Sequence, residues 1–578
     1  MSFESIQARK QLGNIRPTVV NYVRRPAKPR ETELKAIAIA VAAFFALFLL
    51  LPLVLALTGS FQATDGSVTA ANYLAVFAEP GFLTAVGNSV KVSAASAAVA
   101  VALAFLLAYT VNCTDAPRGL RTAIRLLAQV PMLLPTITYG FAIIYSLGRQ
   151  GLITRLLGGH QPIDIYGFNG LLIGYVVYTM PTCFLLLDNG FRFLDRRFII
   201  VSHVMGDRPA VSFLHTVVRP LAGVIGVAFV QSFFLSFTDY GIPTSVGGTY
   251  DTLAMALFGQ MLGSMPDFNR GAVIAMVMLA PSLLSIALFA VLNRLTVRTD
   301  HVSRVALPRG RRRDALCAAG SLLVLAAVLS LFVVILVVPF VTMWPFLPAP
   351  TLAHVADVFA DPSLMQVLAN SLLVAALTAL LGTVVAYGAP LATARSHLPR
   401  WVAAPIDALG SVINTVPSMV LGIGFLFAFT GSPLQNTVAI LVVCNVVHYF
   451  ATPYQMMRDT LGRMNGSYET TARLMGDTWL KTLRRVITPN AAPALLQVFG
   501  YYFVNAMVTI SAVVFLTGAT TQVLTTQISA LQHLTKFDSV FVLSLFILVA
   551  NLAVKSLVAL GTALMARRRA RLAVSKAA

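Results

Sequence analysis

The stretch YETTARLMGDTWLKTLRRVITP, residues 468 to 489, places Glu469, Arg473, Asp477, Lys481, Arg484 and Arg485 between two long apolar segments. Read as helix, Tyr468, Ala472, Met475, Trp479, Leu483 and Val486 recur every three or four residues and form one apolar face. Gly476-Asp477 interrupts that face, because glycine is a poor residue inside a helix and aspartate a good cap. The pattern predicts a short helix, a turn at Gly476 and a second helix ending at Pro489. A related block, FIIVSHVMGDRPAVSFLHTVVRP, occupies residues 198 to 220. A helix that merely lay on lipid would need neither a glycine turn nor a second copy.

The surrounding chain sets what such a block can be. Its 578 residues are 57% hydrophobic and 11% charged, with mean hydropathy +0.79. Soluble domains carry about 25% charged residues, so this surface belongs in a bilayer. Twelve helical spans are predicted: 36–57, 86–110, 126–147, 169–187, 221–240 and 271–293, then 315–342, 370–393, 404–430, 437–455, 491–516 and 538–564. Each approaches the roughly 20 apolar residues that cross a hydrocarbon core. Helices are expected because only they pair their backbone groups within one segment in lipid. The first span follows a long basic leader rather than a short secretory one.

Lysine and arginine orient the spans. The loops on the side of the termini hold 36 of the 42 basic residues, which predicts that both termini and both charged blocks are cytoplasmic. The same distribution accounts for the net charge of +20 without nucleic acid. Neither the four cysteines nor the eight histidines show metal-ligand or disulfide spacing. His448 reads as a packing histidine inside a span.

The chain repeats itself. Asn88-Ser89 and Asn370-Ser371 are each followed, sixteen residues after the asparagine, by alanine and an aromatic (Ala104-Phe105, Ala386-Tyr387). Prolines follow forty-seven residues after each asparagine (Pro135, Pro417), with glycines five residues beyond (Gly140, Gly422). Pro181 then matches Pro453, and Met205-Gly206-Asp207 matches Met475-Gly476-Asp477. The predicted organisation is a basic arm (1–34), a first six-helix repeat (35–293), a basic linker (294–314), a second repeat (315–565) and a basic tail (566–578). Six spans per repeat give both the same topology.

The charged block resembles the cytoplasmic signature of binding-protein-dependent ABC importer permeases: Glu-Ala-Ala, three residues, glycine, and a proline about thirteen residues later. In the second half the aligned residues are Thr470, Thr471 and Ala472, then Gly476 and Pro489, with Glu469 one place early. In the first they are Ile200, Val201 and Ser202, then Gly206 and Pro220, one residue further apart. The resemblance implies an all-α polytopic fold of two six-helix repeats in the bacterial inner membrane. It implies coupling loops that dock on an ATPase: Ser202, Met205, Gly206, Asp207 and Pro220 in one, and Thr470, Thr471, Ala472, Met475, Gly476, Asp477 and Pro489 in the other. The implied partners are two copies of a cytoplasmic ABC ATPase, a periplasmic solute-binding protein and membrane lipid, with no nucleic acid. No G-x-x-x-x-G-K-[ST] phosphate loop occurs in the chain, so ATP and Mg are expected on the partner. No metal, cofactor or catalytic residue is expected here.

Residues 231–248, 262–273 and 501–518 resemble permeases assigned to 2-aminoethylphosphonate import, and ferric iron or thiamine is the alternative cargo. Asp239 is a candidate for the substrate's ammonium, or it ends a helix in a polar cluster. Asn505, Thr509 and Ser511 line the corresponding region, as pore donors or as interhelical hydrogen bonds. An ion-coupled secondary transporter fits the span count equally well. The paired glycine-to-proline loops and the scarcity of intramembrane carboxylates weigh against it. A membrane-embedded enzyme lacks an acid–base constellation.

Overall fold

The computed structural model describes residues 32–63, 65–161, 163–295, 310–395 and 398–577. Most of the predicted arm and of the linker lies outside them. The protein is an all-α multi-pass membrane protein, with one small antiparallel ribbon pairing Val341–Met343 with Leu347–Pro350.

In the first repeat the helices used below are α1 (Thr32–Ser60), α2 (Phe82–Cys113), α3 (Arg118–Leu127), α4 (Thr136–Leu147), α5 (Phe168–Arg192), α6 (Arg197–Val204), α7 (Pro209–Phe237), α8 (Gly241–Val246), α9 (Leu253–Leu262) and α10 (Phe268–Leu295). In the second they are α11 (Arg311–Val337), α12 (Pro362–Ala394), α13 (Arg400–Val412), α14 (Ser418–Phe429), α15 (Val438–His448), α16 (Ala451–Gly462), α17 (Ser467–Leu474), α18 (Trp479–Val508), α19 (Leu524–His533) and α20 (Phe537–Ala577).

Among the described residues nine helices are long and apolar enough to cross a bilayer, and two bent pairs bring the number to eleven at most. The predicted spans 126–147 and 404–430 are therefore not straight. In each, an amphipathic helix (α3, α13) runs into a 3₁₀ turn and then a proline, Pro135 or Pro417, beyond which α4 or α14 starts. The axes on the two sides of Pro135 differ by 104°. A residue preceding proline is pushed out of the helical region, so the helix stops there. The predicted span 437–455 also breaks, bending 57° between α15 and α16. Pro453 sits just past that break, whereas Pro181 at the matching place leaves α5 continuous.

The repeat's landmarks hold corresponding joints together. Ser89 Oγ accepts from the Leu253 N–H at 2.7 Å, and Ser371 Oγ accepts from the Leu524 N–H at 2.6 Å. Each serine thus serves an otherwise unpaired amide at the start of α9 or α19. Its neighbouring asparagine donates to the preceding loop: Asn88 to the Asp251 carbonyl at 3.1 Å, and Asn370 to the Thr520 carbonyl at 2.9 Å. The glycines past the prolines admit close packing. A Cβ on Gly140 would lie 2.2 Å from Ser245 Cβ, and one on Gly422 would lie 2.4 Å from the Ala512 carbonyl oxygen.

The two repeats are interlocked. Helix α1 packs on the second repeat, with the Phe45 and Phe450 ring centroids 4.4 Å apart. Helix α11 packs on the first, with Thr110 and Ser321 hydroxyls 2.7 Å apart and Phe332 edge-on to Tyr139.

Candidate functional site: two matched loops and a buried seam

Both charged blocks fold the same way. Helix α6 ends at Gly206 (φ +76°) and α17 at Gly476 (φ +78°). The Asp207 N–H returns to the Ser202 carbonyl at 3.1 Å, and the Asp477 N–H to the Ala472 carbonyl at 2.9 Å. This left-handed glycine cap satisfies the last carbonyls of a helix and is strained for residues with a side chain.

The chain then re-enters a helix at Pro209 or Trp479. It widens into a π-turn, Leu214–Val218 or Leu483–Ile487, and continues without a stop. The second helix does not end at Pro489, as the sequence reading predicts; it runs on to Val508. Its first-half equivalent likewise continues through Pro220 to Phe237. The π-turn is the reason. The Arg219 and Thr488 N–H groups bond five residues back, to Leu214 and Leu483. Pro220 and Pro489 follow directly, where a proline in a regular helix would lose a bond and clash with the preceding turn. The extra residue of the first block falls in the helix before the π-turn, which is Pro209–Phe213 against Trp479–Thr482.

The predicted apolar face splits at the glycine. Ala472 is buried and Trp479 and Leu483 pack on the core. Met475, however, is turned outward and is 75% exposed, beside Leu474 at 85%. In the first block Val204 and Met205 are exposed at 79% and 75%. Each loop therefore ends in an exposed apolar knob. Exposed apolar tips of this kind mark contact surfaces. Thr470 and Thr471 are exposed as well. Ser202 is buried and donates to Asp207 at 2.6 Å, and Asp477 pairs with Lys481.

Glu469 looks inward, not toward a partner. Its carboxylate meets Arg395, just past the end of α12, at 2.7 Å, with the side chains 13% and 6% exposed. Arg395 also donates to the Met464 carbonyl at 2.7 Å, so it fastens the whole approach to α17. In the first repeat Cys113 and Ile199 stand at the matching positions, and no such ion pair can form there. The aromatics that mark the repeat reach the loops too. Phe105 packs edge-on to Phe213, and the Tyr387 hydroxyl lies 2.8 Å from Thr488 Oγ1.

The candidate substrate residues lie in the seam between the repeats. Spans α7 and α18 end at Phe237 and Val508, short of the predicted 240 and 516, and irregular chain carries Asp239, Thr509 and Ser511. Asp239 is 5% exposed and accepts the Ile242 N–H at 2.9 Å, which makes it a cap for α8. Thr509 Oγ1 donates to the Asn505 carbonyl at 2.6 Å and lies 2.7 Å from the Tyr449 hydroxyl. Asn505 donates to the Tyr501 carbonyl at 2.7 Å. Ser511 is buried. Tyr178 lies within electrostatic reach of Tyr139 and Asp239 in the first repeat and of Tyr449 and Tyr501 in the second. The sequence reading missed these tyrosines, which pass for core aromatics. The signal available was that Tyr178 and Tyr449 stand three and four residues before the matched prolines Pro181 and Pro453. His448 stacks edge-on to Tyr449, and its Nδ1 has no hydrogen-bond partner among the described residues.

Residues 380–566 match the family model described as binding-protein-dependent transport system inner membrane component. A putative ferric transport system permease protein of Haemophilus influenzae is 25% identical over 446 residues, 73% of this chain and 69% of that protein. The ferric transport system permease protein of Actinobacillus pleuropneumoniae is 24% identical over 74% of this chain and 64% of its own length. The molybdenum transport system permease protein of Mycobacterium tuberculosis is 25% identical over 39% of this chain and 85% of its own.

Proposed function

We propose, from the premise that this chain is a binding-protein-dependent ABC importer permease, that its two matched loops are the handles by which ATPase subunits move it. The observation that carries this is the pair of glycine-capped, outward apolar tips, Val204-Met205 and Leu474-Met475. In this reading both loops, and with them both termini, are cytoplasmic. Two ATPase copies supply the ATP and Mg, and a periplasmic binding protein delivers cargo to the opposite face. ATP binding draws the loops together, which parts the seam around Asp239 and Tyr178 toward the outside. Hydrolysis lets it close. The chain is the transport component and carries no catalytic residue of its own.

The cargo we assign is 2-aminoethylphosphonate. The support is the resemblance of 231–248, 262–273 and 501–518 to permeases for that compound. Asp239 supplies negative charge in the seam for an ammonium, and Asn505, Thr509 and Ser511 supply polar groups opposite. A second reading, ferric iron, is favoured by the printed functions of the two relatives that span most of the chain. Uptake of labelled 2-aminoethylphosphonate and of ferric iron, in cells lacking and then regaining this chain, separates them. Phosphonate uptake that depends on the chain and on an intact ATPase is the expected result. Iron uptake alone would move the assignment to the second reading.

A further inference from the structure

Outside the loops and the seam, a groove of about 490 Å³ opens between α2, α7 and α10. Its wall is almost wholly apolar. Ala98, Val101, Ala222, Gly226, Phe229 and Leu288 shape it, and Val218 and Leu292 close its end nearest the loops. Small residues make the hollow. In the second repeat the residue six places after the matched proline is Leu495, which packs on the core, where the first repeat has Gly226. The matching place in the second repeat thus carries a larger side chain.

Its location limits what can occupy it. Within hydrocarbon a site with no polar partners stays free of water, so a lipid chain is the available filler. The charge at the loop end says which lipid. Arg219 directly follows Val218, stands three and seven residues before Ala222 and Gly226 on the same face of α7, and is exposed. We infer that the groove is a binding site for one anionic phospholipid, with an acyl chain along α7 and its phosphate at Arg219. Val218 is the last residue of the π-turn inside α7, so the bound chain lies against the joint between the first loop and the rest of that helix. The second loop has its Arg395–Glu469 pair instead. Lipid on one side and an ion pair on the other would brace the two handles by different means.

Native mass spectrometry of the whole chain, extracted in mild detergent from membranes containing phosphatidylglycerol and phosphatidylethanolamine, tests this. One phosphatidylglycerol should stay bound through extraction. Ala98→Phe with Ala222→Phe fills the groove from two exposed positions and should abolish retention in protein that remains monodisperse. Arg219→Gln should lower the preference for phosphatidylglycerol about fivefold, the scale expected of one basic residue near an anionic headgroup, and Arg294→Gln, on the far face of α10, should leave it unchanged. Undiminished retention in the filled variant overturns the site. An unchanged headgroup preference in Arg219→Gln overturns the anionic assignment, and its surface position keeps it testable if the filled variant misfolds.

Discussion

Arg125 and Asp407 stand ten residues before Pro135 and Pro417, at the same place in the two repeats, with opposite charge. Each faces the complementary sign on a neighbouring span: Arg125 meets Asp188 at 3.4 Å, and Asp407 meets Arg458 at 3.3 Å. The repeats keep the contact between amphipathic helix and span while exchanging its polarity. The pairs are not equally set. Asp188 is buried and shared with Asn112 at 2.7 Å and Arg192 at 2.9 Å, whereas the Asp407–Arg458 pair is open to water.

Unequal burial predicts unequal cost. Asp188→Ala takes from buried Asn112 one of its two acceptors and from two half-exposed arginines their carboxylate, and should lower stability by about 1–2 kcal/mol. Arg458→Ala should cost no more than about 1 kcal/mol, as exposed pairs do. Thermal unfolding of the purified chain in detergent measures both. Equal losses would show that burial does not rank these contacts.

The Arg395–Glu469 pair should behave as a buried one. Removing either partner alone, as Arg395→Met or Glu469→Leu, leaves an uncompensated charge and should cost about 3–5 kcal/mol. The double variant should recover much of it. A thermodynamic cycle whose single losses simply add would mean that the two residues act independently.

At the tips, Leu474→Glu and Met475→Glu change side chains that already face water. Stability should shift by less than about 0.5 kcal/mol. Copurification of the ATPase should nonetheless fall sharply. An ATPase retained at wild-type levels by both variants would remove the docking role of α17.

Gly476 isolates backbone shape from contact, since nothing lies within 4 Å of a Cβ placed there. Asparagine tolerates its left-handed conformation and a β-branched residue does not. Gly476→Asn should keep much of the transport, and Gly476→Val should lose it while the chain remains folded. If the two variants transport alike, the turn's geometry is not what matters.

Much of this was legible because single residues impose single backbone demands. Asn370-Ser371, Pro417, Gly422 and Gly476 each announced a joint, a stop, a close approach or a reversal, and the structure places one at every site. Hydropathy alone could not reveal that the apolar run 126–147 turns a corner, because it records greasiness and not direction. The helix through Pro489 was unreadable for a related reason: a π-turn has no composition of its own. Arg395 and Glu469 are far apart in the chain, as are Tyr178 and Tyr449, so their approach depends on how helices pack. For Asp239 the structure shows the helix cap directly.

The exchange of first helices has a price in time. Phe45 is made early, yet Phe450, its ring partner, emerges about 400 residues later. At the usual 5–20 residues per second of synthesis, α1 waits roughly 20–80 s for its neighbour. During that interval its inward face must be sheltered by lipid, by insertion machinery or by unfinished parts of the same chain. The order of manufacture therefore differs from the order of assembly, and α1 completes its packing only once the second repeat has been made.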